Sequence, residues 1–219
     1  MAIVGESGSG KSTLVRTLMA LEEADGGAVY LDGHPFSPRL KATGLRPLRR
    51  RIQAVFQDPS ASFDPRWTVE RLVTEPLYLL DEPVTAQEAR ARAVAALEQA
   101  GLDVDVLSRL PHQFSGGQKQ KIALARALIL KPDILVLDEA VSALDSLSRR
   151  DILARLTDLK RTGLSLVFVS HDLAAARAIA DQVLIMRRAE IVEQGDAAAI
   201  FAAPKHNYTQ ALLAATPRL

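Results

Sequence analysis

Gly5-Glu6-Ser7-Gly8-Ser9-Gly10-Lys11-Ser12 decides the reading of this chain. The stretch fits G-x-x-x-x-G-K-[ST] and lies between an apolar pair, Ile3-Val4, and a helical pattern that starts near Lys11. Glycines let backbone N–H groups turn inward around phosphate oxygens, and the new helix adds the positive end of its dipole. Lys11 supplies a point charge for β and γ phosphates, and Ser12 offers a hydroxyl to Mg²⁺. Gly5, Glu6, Ser7, Gly8, Ser9, Gly10, Lys11, Ser12 and Thr13 are therefore the candidate nucleotide-binding residues. A glycine-rich turn that binds nothing is the alternative; the flanking strand and helix argue against it.

Outward from this loop, other short runs rich in Val, Ile and Leu end in a polar residue, as strands of a buried parallel sheet do. They are Ala54-Val55-Phe56 before Gln57, Ile134 to Leu137 before Asp138, Leu166 to Val169 before Ser170, and Val183 to Met186. Helical patterns between them point to an α/β core. Thr85 and Glu88 stand at capping-box spacing, and Gly101 closes the alanine-rich helix that follows. Ser115 and Gln118 repeat that spacing ahead of a second helix, which Lys131-Pro132 closes. Both helices fall in a helical lobe expected at roughly 59 to 130. A further antiparallel strand is expected from Ala28 to Asp32, bracketed by Gly26-Gly27 and Gly33.

The strand at 134 to 137 delivers two adjacent carboxylates. Asp138 suits a Mg²⁺ held through its water shell, and Glu139 suits a general base for the water that attacks a γ-phosphate. Taken alone such a pair is more often a solvated turn; the phosphate loop changes its meaning. His171 and Gln57 follow other strands, and parallel strands bring all four groups to the sheet edge where ligands bind in open α/β sheets. Ser115, Gly116, Gly117 and Gln118 form a second anion-ready helix start. One nucleotide uses both loops if the second comes from another subunit across a symmetric interface.

Bulk properties agree with a globular domain. The chain has 219 residues, 48% hydrophobic and 24% charged, enough for a substantial core. Zero cysteines exclude disulfides and thiolate metal sites. A net charge of +1 gives no global field for nucleic acid, and none is expected as a partner. The basic run Arg39, Lys41, Arg46, Arg49, Arg50 and Arg51 reads as a solvated face. No apolar stretch nears the ~20 residues of a membrane span.

Together these residues resemble the ATP-binding cassette (ABC) ATPases: the phosphate loop, Gln57, Ser115-Gly116-Gly117-Gln118, the acidic pair, Ser142-Ala143-Leu144-Asp145, and His171, all in that family's order. A narrower resemblance is to the ATPases of oligopeptide and dipeptide importers, through Ala54-Val55-Phe56-Gln57-Asp58-Pro59, Asp64-Pro65-Arg66, Glu75-Pro76-Leu77, Glu139 to Asp145, and Tyr208-Thr209-Gln210-Ala211-Leu212-Leu213. The resemblance implies a P-loop NTPase (RecA-like) parallel sheet at 1–58 and 131–200, a helical lobe at 59–130 and a tail at 201–219. It implies ATP and Mg²⁺ as cofactors, with Ser12, Gln57 and Asp138 toward the metal. Glu139, His171 and Gln57 are then catalytic, and Asp145 joins the signature in binding nucleotide and linking two sites.

Expected partners are transmembrane permease subunits and a second ABC ATPase, at the cytoplasmic face of the cell membrane. Phe63 and Trp67 either dock on such a permease or, the preferred reading, pack in the core. A second reading is a non-transport ATPase of a soluble complex resembling the carbon–phosphorus lyase ATPases. The family carries strands and an adenine-stacking aromatic before the phosphate loop; only four residues precede Gly5 here, which reads as a truncated or misassigned start. Lys119, Lys121 and Asn207 stand where relatives often carry arginine, arginine and proline.

Overall fold

A computed structural model describes residues 1–215; the last residues of the expected 201–219 tail, 216–219, lie outside the described residues. The strands are β1 (Ala2–Val4), β2 (Tyr30–Leu31), β3 (His34–Pro35), β4 (Ile52–Val55), β5 (Ile134–Asp138), β6 (Ser165–Ser170), β7 (Gln182–Arg187) and β8 (Glu190–Asp196). The helices are α1 (Lys11–Leu18), α2 (Ala42–Arg51), α3 (Val69–Thr74), α4 (Ala86–Ala100), α5 (Gly116–Leu128), α6 (Ser146–Arg161), α7 (Leu173–Ile179), α8 (Ala197–Ala202) and α9 (Asn207–Ala214).

The main sheet has the order β4-β5-β6-β1-β7-β8. Every pairing is parallel except β7 with β8. Both faces are covered, and the strands show it by alternation: Ala2, Val4, Leu135, Leu137 and Phe168 enter one apolar cluster, while Ile3, Val136 and Val169 enter another. Burial on two sides is why these strands read as continuous apolar runs. β8 was not among the expected strands, because its sequence Glu190-Ile191-Val192-Glu193-Gln194-Gly195-Asp196 is mostly polar; it lies at the sheet edge and takes its order from β7.

The strand expected from Ala28 to Asp32 is shorter, Tyr30–Leu31, and pairs with β3 apart from the main sheet. The strand expected at Ala54 to Phe56 begins earlier and ends at Val55. From Pro59 to Leu128 the secondary structure is helical throughout, with short 3-10 turns at Pro59–Ser62, Glu75–Leu79, Val104–Ser108 and Pro111–Gln113 between the α-helices.

Both expected helix starts form. Thr85 accepts the N–H of Glu88, and Gly101 ends α4 in the left-handed conformation. The reciprocal half of that box is replaced by an ion pair, since the Glu88 carboxylate takes Arg92 at 2.5 Å instead. At Ser115 the box is complete: Ser115 accepts from Gln118 N–H and the Gln118 side chain accepts from Ser115 N–H. Phe63 is buried, and Trp67 packs against the same cluster with the Arg71 guanidinium 4.1 Å over its ring.

The basic run is absorbed locally. Arg46 donates to the carbonyls of Tyr78, Leu79 and Leu80, Arg50 pairs with Asp81, and Arg51 pairs with Asp32 and Asp133. Among the described residues, no helix is long and apolar enough to cross a membrane.

Candidate functional site

The phosphate loop joins β1 to α1 at the carboxyl edge of the sheet, and register sets what faces it. Val4 pairs with Ser170, and Asp138 pairs with Val169, so the ends of β1, β5 and β6 lie side by side. The loop's own shape follows from its glycines. At Gly5 a Cβ would sit 2.2 Å from the Met186 carbonyl oxygen, so only glycine lets the loop leave β1 against β7. Gly8 and Gly10 have φ of 79° and 94°, in the left-handed region.

Lys11 is buried at 4% exposure, and its Nζ donates to the carbonyls of Gly5 at 2.9 Å and Glu6 at 2.8 Å. Burial lowers its pKa, a shift opposed by the charges of Glu139 and Asp138. Ser12 Oγ donates to Asp138 Oδ1 at 3.4 Å, across the gap between α1 and β5. Desolvation raises the Asp138 pKa; the Ser12 hydrogen bond works against that rise, and the charge of Glu139 adds to it.

Glu139 adopts a φ of 50°, unusual for a residue with a Cβ. Its N–H donates to the Val169 carbonyl at 3.0 Å, and its own carbonyl accepts the Ser142 hydroxyl at 2.8 Å, so the strained turn is held at both ends. The turn aims the carboxylate between Lys11 and His171: Oε1 lies 3.9 Å from Lys11 Nζ and Oε2 lies 3.5 Å from His171 Nδ1. His171 is presented by a second tight turn, in which Ser170 Oγ accepts the N–H of Asp172.

Lys11, Ser12, Asp138, Glu139 and His171 are thus one linked set. Gln57 is exposed beyond the end of β4, the strand next to β5, and makes no hydrogen bond among the described residues. The Ser115 loop is not joined to this set: its hydrogen bonds close on Gln118, and among the described residues none reaches the phosphate loop. It lies instead against the start of α6, where a Cβ on Gly117 would be 2.7 Å from Ser148 Oγ. Asp145 caps that same helix by accepting from the N–H groups of Leu147 and Ser148, and hydrogen bonds from Ser148 hold its pKa below the ordinary value. Among the described residues, the Ser115 loop and the set around Lys11 are thus separate within the chain.

Three contributors escaped the sequence reading. Arg149 donates to Asp172 and to the carbonyls of Ser142 and Leu144, bracing the segment between Glu139 and His171. Gln120 is buried in α5 and donates to the Phe56 carbonyl at 3.4 Å, beside Gln57. Tyr208 accepts the N–H of Glu6. Arg149 and Gln120 show no local pattern, and the tail segment that includes Tyr208 gave no sign of this contact, because each acts across a long stretch of chain.

The loop fits a phosphate chain and a divalent cation by its own chemistry. α1 has no side-chain cap, which leaves its first N–H groups open to an anion. Ser9 Oγ is buried without a hydrogen-bond partner among the described residues. Among the described residues no cluster of three or more His, Cys, Asp or Glu could hold a metal alone. One hydroxyl and one carboxylate, Ser12 and Asp138, instead match Mg²⁺, which relies on substrate phosphates and water for its other positions.

A family profile described as ABC transporter matches residues 1–142. The chain belongs to that family. It is 46% identical over 221 residues to the dipeptide transport ATP-binding protein DppF of Haemophilus influenzae, covering 100% of this chain and 67% of that protein. The DppF of Escherichia coli K12 is 45% identical, with 100% and 65% covered. A putative peptide import ATP-binding protein of Brucella abortus, BAB2_1053, is 45% identical, also with 100% and 65% covered. The chain thus spans about two thirds of the length of these ABC relatives.

Among solved structures, the ATP-binding cassette MJ0796 in a dimeric post-hydrolysis state bound to ADP and Pi superposes with a TM-score of 0.80 at 32% identity, over 90% of this chain and 84% of that one. The ABC protein cbiO1 of Clostridium perfringens gives 0.81 at 28%, over 92% and 78%. The α/β architecture with a mostly parallel sheet is that of ABC cassettes.

Proposed function

We propose that this chain is the ATP-hydrolysing subunit of an ABC importer for peptides or similar small solutes, acting in a pair of ATPases at the cytoplasmic face of a membrane. The observation that carries the reading is the linkage of Lys11, Ser12, Asp138, Glu139 and His171 at one sheet edge. The names of the three curated relatives above, for dipeptide transport or putative peptide import, support it over a soluble complex.

In this reading Lys11 exchanges the carbonyls of Gly5 and Glu6 for phosphate oxygens, and the N–H groups of residues 8 to 13 surround the β-phosphate. Ser12, Asp138 and Gln57 would hold Mg²⁺, which when bound would supply charge neutralisation and orientation of the phosphates. Glu139 takes the proton of the attacking water, and His171 steadies its carboxylate and contacts the γ-phosphate. Ser115, Gly116, Gly117, Gln118 and Asp145 complete the site of the facing copy. The separation of the two half-sites within one chain supports this pairing, and the dimeric state of MJ0796 is a precedent for it.

The permease side has a candidate seat. A groove of about 270 Å³ is bordered by Leu21, Phe56, Pro76, Tyr78 and Arg126, with Leu21 and Tyr78 exposed at 50% and 65%. It lies between the 1–58 core segment and the 59–130 lobe, so an occupant touches both. The reading is tested by Mg²⁺-dependent ATP hydrolysis of the purified chain and by isolating the native assembly from membranes. Hydrolysis with permease subunits recovered is expected; a chain that neither binds nor cleaves ATP sinks the proposal.

A further inference from the structure

The carboxyl-terminal part of the chain reaches back to the phosphate loop across 202 positions: the hydroxyl of Tyr208, on α9, accepts the backbone N–H of Glu6 at 3.1 Å. We propose that Tyr208 is a positioning residue for the phosphate loop, fixing the angle at which the loop leaves β1.

The bond sits at a place where direction matters. Glu6 follows Gly5, whose backbone is pressed against the Met186 carbonyl, and both carbonyls of that pair hold Lys11. An N–H that points out of the cradle toward Tyr208 defines the peptide plane, and with it the aim of the Gly5 carbonyl. Farther along, the Ala189 N–H donates to the Ser9 carbonyl at 3.0 Å. Thus β7, the turn after it and α9 brace one flank of the loop, while Asp138 holds Ser12 on the other.

Tyr208 is itself held in place. It is 7% exposed, and the Arg187 guanidinium lies 4.8 Å over its ring. Glu193 of β8 accepts the N–H groups of Lys205 at 2.8 Å and His206 at 3.2 Å, fixing the entry to α9. His206 Nδ1 then accepts the N–H of Tyr208 at 3.1 Å. A carboxylate, a helix start and a phenol form one chain of support that ends on the loop. Without the phenol, Glu6 N–H turns to water and the loop samples more orientations, so binding must first select the competent one.

The consequence for nucleotide rests on the ATP-binding reading, but the hydrogen bond does not, and the test separates them. In the unsubstituted, nucleotide-free chain, the Glu6 amide is expected to exchange with solvent more slowly than that of Ser7, which has no partner among the described residues. Tyr208→Phe keeps the ring and removes the acceptor. It is expected to speed Glu6 exchange and to weaken MgATP binding by about three- to ten-fold, raising KM while kcat stays within about two-fold.

Equal exchange at Glu6 and Ser7 in the unsubstituted chain, or unchanged Glu6 exchange in Tyr208→Phe, overturns the proposal. So does weaker binding accompanied by faster exchange across α9 as a whole, which signals loss of the helix rather than of one bond. If the unsubstituted chain binds no ATP, the functional reading fails, and Glu6 exchange alone still decides the role of Tyr208.

Discussion

Glu139 and His171 face each other at 3.5 Å, Oε2 to Nδ1, while the other oxygen of the same carboxylate lies 3.9 Å from Lys11. The proposed base role needs a carboxylate whose lone pair is aimed and whose negative charge is kept, and Lys11 and His171 flank the two oxygens of Glu139. Glu139→Gln keeps the shape and loses the charge. Hydrolysis is expected to fall by about 10²- to 10⁴-fold with ATP affinity within a few-fold of the parent. Single-turnover hydrolysis measured beside a nucleotide titration checks this; wild-type turnover in the variant removes Glu139 from the base role.

Asp138 works against the fold that carries it. At 8% exposure it sits where desolvation raises its pKa, so carrying its charge costs the fold stability. The unfolded chain binds protons at the ordinary value of 3.8, so the cost is present at neutral pH and fades as pH falls through the raised value. Asp138→Asn is expected to stabilise the nucleotide-free chain near pH 7 by about 1 kcal/mol, or roughly 2–4 °C in Tm, and to abolish the Mg²⁺ dependence of nucleotide binding. The Tm advantage shrinks on acidification; an advantage that grows instead contradicts the assignment.

Gly5 and Gly8 are required for different reasons, and alanine separates them. At Gly5 the added methyl meets the Met186 backbone at 2.2 Å, and backbone does not move cheaply. At Gly8 nothing lies within 4 Å, but φ is 79°. Thermal unfolding should show Gly5→Ala destabilised by about 2–3 kcal/mol and Gly8→Ala by about 1 kcal/mol. Equal losses at the two sites would show that the close approach of β1 to β7 has slack.

Much of this was legible because the informative residues are near neighbours in sequence. The octapeptide around Lys11, the doublet Asp138-Glu139 and the box Ser115–Gln118 each state their chemistry within a few positions, and apolar runs on both faces of a parallel sheet announce the strands that carry them. β8 stayed hidden because an edge strand paired on one side needs no apolar run, and Phe56 was placed in a strand that ends at Val55. Likewise, Thr85 and Glu88 have the spacing of a full capping box, yet Arg92 competes for the Glu88 carboxylate. Arg149, Gln120 and Tyr208 depend on tertiary placement, which no local window contains.

Arg149 illustrates how such a residue enters the chemistry without touching a ligand. Its Nη1 lies 2.9 Å from the Asp172 carboxylate, and its Nη2 reaches the carbonyls of Ser142 at 3.4 Å and Leu144 at 3.3 Å. One planar fork therefore ties the turn that carries Glu139 to the turn that carries His171. Lysine keeps the charge but offers no fork, so it cannot hold a carboxylate and two carbonyls in one plane. Arg149→Lys is expected to lower kcat by about ten- to hundred-fold through misalignment of Glu139 and His171, with ATP affinity within about two-fold because Lys11 and the loop are untouched. Steady-state kinetics beside equilibrium binding decide it: full kcat in the lysine variant would mean that the two turns hold their geometry unaided, and a loss confined to affinity would place the effect of Arg149 in the phosphate loop instead.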